Sequence, residues 1–160
     1  VCSGCSAMVV VFTSNECPYD QYYRERIITL QKEFMGKAGF IWVNAYVEAP
    51  EAVEVMRKDA QQWGLTVPYL ADKEQKLMEQ LGARKSPEVF LLIPAGTNWK
   101  VAYRGAIDDN PQVVNDVHDN YLADALHAVA AGKIEKAARI HHRAHIPQGL
   151  ERIAFASGMV

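Results

Sequence analysis

The sequence predicts one α/β domain in which a mixed β-sheet carries helices on both faces. Segments with the pattern of buried strands alternate along the chain with segments of helical periodicity. Residues 88–93 and 99–103 read as two strands separated by a Pro-Ala-Gly turn, which indicates a hairpin. The chain has 160 residues, 49% of them hydrophobic, and is therefore long enough to bury one core.

The first three elements are a strand, a helix and a second strand. Residues 8–13 are apolar and rich in valine, as in a strand buried on both faces. Apolar residues at helical spacing then predict a helix from about Pro18 to Gly36 or Gly39. Residues 40–45 read as a second buried strand.

A second helix, a short strand and a short helix follow. Pro50 is expected to open the second helix, because a proline in the first turn loses no hydrogen bond, and Gly64 ends it. The buried face of this helix is predicted to carry Val53, Met56, Ala60 and Trp63. Residues 67–70 predict a short strand and residues 73–81 a short helix.

The hairpin and a final helix complete the predicted domain. The turn of the hairpin is placed at residues 94–96, and apolar spacing over residues 122–129 predicts the last helix. The expected limits of that helix are Asp119 or Asn120 as cap and Gly132 beyond its end. Residues 133–143 have a weaker helical pattern, and the remainder has no clear period.

Charge and hydropathy exclude several classes of partner. A formal net charge of −2 gives no electrostatic reason to expect nucleic acid or an anionic membrane. The longest apolar run, residues 7–12, is far too short to cross a bilayer. No signal peptide is visible, although the chain begins with Val1 rather than Met, which is compatible with a trimmed leader.

The three cysteines do not form a disulfide framework. Cys2 and Cys5 lie at the N-terminus, where the simplest interpretation is a flexible end with two incidental thiols. A local disulfide and half of a metal site are the alternatives, although structural zinc needs about four ligands. Cys17 lies instead between the first strand and the first helix, in the segment Ser14-Asn-Glu-Cys-Pro18, here called the corner.

The corner has the properties of a thiol site. The N-terminus of a helix presents unpaired N–H groups and a partial positive charge, which both stabilise a thiolate. Much later in the chain, Ser86-Pro87 directly precedes a predicted strand. A proline is tolerated at a strand start, and an X-Pro bond is the kind that adopts the cis form.

Four segments together resemble the redoxins of the alkyl-hydroperoxide-reductase and thiol-specific-antioxidant group, which occur in bacteria. These segments are Phe12–Tyr19, Ser86–Leu91, Tyr103–Asn110 and the strand–helix unit at residues 68–81. The resemblance implies a thioredoxin fold with a redoxin-type insertion. It places an N-terminal extension at residues 1–7, the redoxin domain at 8–132 and a C-terminal tail at 133–160.

The same resemblance assigns roles at the corner. In the family the corner is usually Cys-x-x-Cys, but here Ser14 stands at the first position and Cys17 matches the second. We therefore take Cys17 and Ser14 as the catalytic positions. Pro87, Ser86 and the nearby Tyr19 are taken as substrate-binding positions. Neither a metal nor a cofactor is implied, and the expected partners are protein thiols or disulfides, or a peroxide.

Three functions are compatible with this corner. The first is thiol–disulfide chemistry impaired by Ser14, which survives if Cys2 or Cys5 partners Cys17 or if the serine is an engineered change. The second is a one-cysteine peroxidase, in which the Ser14 hydroxyl hydrogen-bonds the thiolate and Arg84 replaces the usual arginine. The third is a redox-inactive interaction module in which Cys17 is a small buried hydrophobe.

Other candidate residues carry weaker signals. The cluster His141, His142 and His145 has the spacing of metal ligands, but a solvated tail explains it more simply. Asp108 and Asp109 are more typical of a turn than of a general base. Near the corner, Tyr23 is expected in the core and Tyr22 at the surface. The sequence leaves open the oligomeric state and the compartment, cytoplasm or bacterial cell envelope.

Overall fold

A computed structural model describes residues 4–134 of the protein. The five strands are β1 (Ala7–Phe12), β2 (Ala38–Asn44), β3 (Tyr69–Ala71), β4 (Glu88–Ala95) and β5 (Asn98–Gly105). The four α-helices are α1 (Pro18–Glu33), α2 (Val53–Gln62), α3 (Lys76–Leu81) and α4 (Tyr121–Ala130), and short 3-10 turns lie at Ala49–Glu51 and Val114–Asp116. The predicted α/β class and the order of its elements are confirmed.

The sheet is mixed, with the strand order β3-β2-β1-β4-β5. Strand β1 is central, runs parallel to β2 and pairs antiparallel with β4, so that Val9 lies between Phe40 and Leu91. Strand β3 extends the parallel half and β5 the antiparallel half. The corner follows β1 directly and therefore lies at the end of the middle strand.

Two apolar layers cover the sheet because every residue of β1 is buried and successive side chains point to opposite faces. Val9 and Val11 pack in the layer formed by α1 and α4. Met8 and Val10 pack in the opposite layer, with Leu81 of α3. The burial of β1 on both faces explains its continuous apolar sequence and anchors the start of the corner.

The hairpin turn differs from its prediction. Pro94 belongs to β4, where it pairs with Trp99, and the loop between the strands contains only Gly96 and Thr97. Pairing of β4 with β1 ends at Leu92, so the proline removes no ladder hydrogen bond on that side. Gly96 has a φ of +65°, the left-handed conformation that a two-residue hairpin loop requires.

The segment around Pro50 also differs from its prediction. Pro50 lies in a 3-10 turn, and the extended Ala52 separates this turn from α2, which begins at Val53. On the predicted buried face only Met56 is fully buried, because α2 packs beside the edge strand β3 rather than across the sheet. The helix predicted to start at residue 73 begins at Lys76, after a backbone turn over residues 72–75.

Several predicted features lie outside the described residues. These are Cys2 and the histidines His141, His142 and His145, together with almost all of the predicted tail. Within residues 4–134, no helix has the length and apolarity needed to cross a membrane.

Candidate active site

The corner is a sharp connection between β1 and α1. Cys17 occupies the N-cap position with an extended backbone, and Pro18 follows in the first turn, where its missing N–H costs nothing. The Cys17 side chain is half-buried and its thiol is free. Cys5 is disulfide-bonded, which corrects the interpretation of this residue as an incidental thiol.

The loop before β4 lies against the corner, although the two segments are far apart in the sequence. The Cys17 Sγ lies 3.6 Å from the carbonyl oxygen of Ser86, and the peptide bond between Ser86 and Pro87 is cis. The Ser86 hydroxyl donates to the Asp20 carboxylate, and the backbone N–H of Ser14 donates to the same Asp20 oxygen at 3.2 Å. Asp20 therefore joins the corner to the Ser86–Pro87 loop.

Asp20 is a buried carboxylate in the first turn of α1, with 3% of its surface exposed. Its other oxygen accepts a hydrogen bond from the Thr13 hydroxyl at 3.0 Å. Burial raises the pKa of Asp20, and the hydrogen bonds from its neighbours, Ser86 and Thr13 first, offset this only in part. The corner thus contains a carboxyl group that holds its proton more tightly than an exposed aspartate.

The Cys17 thiol is not acidified by its position at the helix start. Burial raises its pKa, and the nearby Asp20 charge raises it further, while the backbone N–H groups of Asp20 and Tyr19 oppose both effects. A thiol of this kind is largely protonated at neutral pH. The helix N-terminus alone, on which the sequence argument rested, is outweighed here.

The Ser14 hydroxyl does not point its proton at Cys17. It donates to a carboxylate oxygen of Glu51 at 2.5 Å and accepts the backbone N–H groups of Glu16 and Cys17, each at 3.2 Å. Its only proton is therefore committed to Glu51. The expected hydrogen bond from this hydroxyl to a Cys17 thiolate is absent from the described corner.

Glu51 supplies a second buried carboxylate from a distant part of the chain. It is 4% exposed and accepts hydrogen bonds from the Asn15 backbone N–H at 2.8 Å and the Asn44 amide at 2.6 Å. Burial acts to raise its pKa, but the hydrogen bonds from Ser14, Asn15, Asn44 and Glu16 outweigh burial, and its pKa lies below the ordinary value. A negative charge therefore occupies the corner permanently at neutral pH.

A lysine fixes the segment that carries Glu51. The Lys73 Nζ donates to the carbonyl oxygens of Tyr46 at 2.5 Å and Glu51 at 2.6 Å, and to the Asn44 side-chain oxygen at 3.1 Å. The Tyr69 hydroxyl closes the same network by donating to Asn15 at 2.9 Å. Lys73 thus ties the backbone of Glu51 to the end of β2 and to the loop that follows it.

A buried ion pair fixes the Ser86–Pro87 loop. Arg104 of β5 binds Glu88 of β4 at 2.8 Å and donates to the Gly82 carbonyl oxygen at 2.5 Å. The second Glu88 oxygen accepts the backbone N–H of Arg84 at 2.8 Å. Both ends of the loop over residues 82–88 are therefore tied to the same pair of charges.

The remaining predicted residues have the following places. Tyr19 is exposed beside the corner and its ring contacts Tyr22, while Tyr23 lies in the core as expected.

Asp108 is buried in an ion pair with Arg26 at 2.5 Å. It also accepts the backbone N–H of Asn110, as a turn residue does, and Asp109 is exposed. The Arg84 side chain is exposed and makes no ion pair within residues 4–134.

Asp20 and Glu51 are the site residues that sequence reasoning missed. Asp20 had a weak signal, since acidic residues are favoured in the first turn of a helix. Nothing local marks Glu51, whose contact with Ser14 spans 37 positions of sequence. No group of three or more histidine, cysteine or acidic side chains in the described part of the chain is arranged to hold a metal.

The fold and the corner define the class of this protein. A five-stranded mixed sheet with helices against it, and a helix that begins at a corner after the central strand, form a thioredoxin-like fold. The Redoxin family model matches residues 2–121. The chain belongs to the Redoxin family.

Solved structures support the fold assignment. An uncharacterized conserved protein from Geobacillus kaustophilus has 26% identity and a TM-score of 0.72, with 80% of this chain and 69% of that chain covered. A hypothetical protein from Sinorhizobium meliloti 1021 has 28% identity and the same TM-score, with 80% and 71% covered. A secreted Mycobacterium tuberculosis disulfide oxidoreductase homologous to E. coli DsbE has 13% identity and a TM-score of 0.51, with 79% and 81% covered, and is similar in fold.

Proposed function

We propose that this chain is a single-thiol redoxin that exchanges disulfides with protein clients through Cys17. The observation that supports it is the asymmetry of the corner. Cys17 is a free, half-buried thiol beside the Ser86–Pro87 loop, whereas Ser14 is buried and bonded to Glu51. The unit to which we assign this function is the domain over residues 8–132.

The chemistry is one half of a dithiol cycle. The Cys17 thiolate, after losing its proton, attacks one sulfur of a client disulfide, and a Cys17–client disulfide forms while the other client sulfur leaves as a thiolate. A hydroxyl does not perform this exchange, so Ser14 does not release the client. Release needs a second thiol, either from the client itself or from a small-molecule thiol, which restores the Cys17 thiol and forms the new disulfide.

Peroxide is the less favoured substrate. A peroxidatic cysteine depends on its thiolate, which a nearby cation or a helix N-terminus stabilises. Here the pKa of Cys17 is raised by burial and by the Asp20 charge. The Ser14 proton is committed to Glu51, and the Arg84 side chain makes no hydrogen bond in the described residues that would direct it to the thiol.

A redox-silent binding module is the second candidate. The raised pKa of Cys17 favours it, because a protonated thiol is a poor nucleophile. Exposed apolar side chains near the corner, Tyr19 at 50% and Tyr46 at 39%, offer contact surface to a protein partner. In this role the same surface binds the partner without a covalent step.

Incubation with hydroxyethyl disulfide, followed by intact-protein mass spectrometry, separates these functions. We expect one mercaptoethanol adduct, located on Cys17 by peptide mapping, and none on Cys17→Ser. Insulin reduction should stay near background, because the corner has no resolving thiol. Absence of an adduct even at pH 9 rejects thiol exchange and favours the binding module. Selective sulfenic or sulfinic acid on Cys17 after peroxide treatment favours the peroxidase.

A further inference from the structure

A small cavity lies beside the loop that carries Ser86. It has a volume of about 200 Å³, and its wall is formed mainly by the apolar side chains of Phe12, Ala45, Met78 and Ala83. Sites for small-molecule ligands usually measure roughly 300–1,000 Å³. A cavity of this size and composition fits one apolar side chain of a larger partner better than a free small molecule.

Tyr46 connects this cavity to the thiol. Its side chain lines the cavity and also lines the open groove that contains Cys17 and Ser14. The phenol lies close enough to the Ser86 side chain and to Cys17 for both to act on its pKa. A peptide that places a cysteine at Cys17 therefore has the cavity within reach of its neighbouring side chains.

The cavity and the groove carry opposite charge. Arg84 and Lys85 are exposed at the rim of the cavity, and neither forms an ion pair within residues 4–134. The groove that contains Cys17 is bordered instead by the exposed Glu16 and Glu48. A segment that runs from the groove to the cavity thus meets two carboxylates beside the thiol and two cations at the cavity end.

We propose that this surface selects client segments in which the reacting cysteine is followed, toward Arg84 and Lys85, by an apolar residue and then an acidic one. The apolar side chain enters the cavity, and the carboxylate pairs with the two cations. A basic residue on the opposite flank is favoured by Glu16 and Glu48. This inference rests on the proposed disulfide exchange at Cys17 and adds the class of client.

Peptides activated as thiopyridyl mixed disulfides test the proposal, because release of thiopyridone reports attack by Cys17. In the first pair of peptides, one flank of the cysteine carries leucine and then aspartate, and the other flank carries alanine and then lysine. The two members differ in chain direction: leucine and aspartate follow the cysteine in one member and precede it in the other. A second pair exchanges the aspartate and the lysine. We expect the faster member of the first pair to react about fivefold faster than either member of the second pair, a ratio equivalent to about 1 kcal/mol and in keeping with the modest strength of exposed ion pairs.

Charge reversal supplies the control. The double variant Arg84→Glu/Lys85→Glu should lose the preference for the first pair of peptides, because both flanks then face carboxylates, and 1 M NaCl should remove the preference of the unmodified chain. Arg57→Glu/Lys58→Glu makes the same charge change with two exposed residues of α2 and should keep the original preference. The proposal is overturned if the unmodified chain reacts with all the peptides at equal rates, or if the two double variants change the peptide preference equally.

The uncharged hydroxyethyl disulfide distinguishes this failure from failure of the proposed function. If Cys17 forms its adduct equally in all variants but the peptides are not discriminated, only the client class is wrong. If Cys17 forms no adduct with either reagent, thiol exchange itself is wrong. Thermal unfolding of each variant establishes whether it is folded, so that a loss of preference through unfolding is recognised.

Discussion

Two buried carboxylates flank the corner, and their surroundings shift their pKa values in opposite directions. Asp20 lies on the Cys17 side, and burial raises its pKa above the ordinary value. Glu51 lies on the Ser14 side, and its pKa is lowered, because its hydrogen bonds outweigh burial. Glu51 accepts two backbone N–H groups of the corner, a side-chain amide and the Ser14 hydroxyl, whereas Asp20 accepts one backbone N–H and two hydroxyls. Donors that are fixed and strongly polar keep a buried carboxylate charged.

This difference explains how the corner tolerates a serine. In a cysteine-based corner, the free N–H groups before the helix stabilise a thiolate at the first position. Here the Glu51 carboxylate accepts the N–H groups of Asn15 and Glu16, and the Ser14 hydroxyl binds the same carboxylate. The anion of the corner on the Ser14 side is therefore the Glu51 carboxylate, and the remaining thiol lies beside Asp20, whose pKa is raised.

The largest expected effect is on stability at Glu51. Glu51→Ala leaves the Ser14 hydroxyl, two backbone N–H groups and the Asn44 amide without their acceptor, and should lower the free energy of unfolding by about 3 kcal/mol. Urea denaturation measures the change. Glu54→Ala, at an exposed position of α2, should change it by less than about 0.5 kcal/mol. A loss at Glu51 no larger than at Glu54 would mean that the network does not hold the corner.

The pH dependence of stability should separate the two carboxylates. Glu51 has a lowered pKa, so it contributes stability above its ordinary value of 4.5, and this is lost as the pH falls through its folded-state pKa. Asp20 has a raised pKa, so the native state binds its proton more tightly and gains stability as the pH falls from above that pKa toward 3.8.

The corresponding amide variants should therefore change the acid limb in opposite directions. Glu51→Gln should flatten the loss of stability below pH 5, and Asp20→Asn should steepen it. Thermal unfolding midpoints between pH 3 and 8 measure both. Parallel curves for the two variants would contradict the opposite pKa directions.

A smaller effect is expected on the reactivity of Cys17. The Asp20 charge contributes to the raised pKa of the thiol, so Asp20→Asn should increase the rate of iodoacetamide alkylation at pH 8.5 by about threefold. Glu33→Gln, at the exposed far end of α1, is the matched control and should leave the rate unchanged. An unchanged or slower rate in Asp20→Asn would show that its charge does not act on the thiol.

The sequence predicted the elements of the fold better than the chemistry of the site. Strand β1 has a continuous apolar pattern because it is buried on both faces, and helix α1 has a periodic pattern because only one stripe of it is buried. Pro94 was misplaced because its tolerance in β4 depends on where pairing with β1 ends, which is a property of the sheet. Glu51 was missed because only the folded chain brings the 3-10 turn against the corner, and the burial that raises the pKa of Cys17 is equally non-local.

Restoring a cysteine at position 14 is the most direct test of Cys17 as a single thiol in a thioredoxin-like corner. The side chain at this position already accepts the Cys17 backbone N–H at 3.2 Å, and two sulfurs one helical turn apart are within disulfide reach. Oxidised Ser14→Cys should contain a disulfide between residues 14 and 17 by peptide mapping, and the reduced variant should reduce insulin disulfides while the unmodified chain stays near background. Adding Glu51→Gln should lower the pKa of the new thiol by about one unit, because a like charge is removed. A folded Ser14→Cys that forms no disulfide with Cys17, or an unmodified chain that reduces insulin equally well, would contradict the assignment of Cys17 as a single thiol in a thioredoxin-like corner.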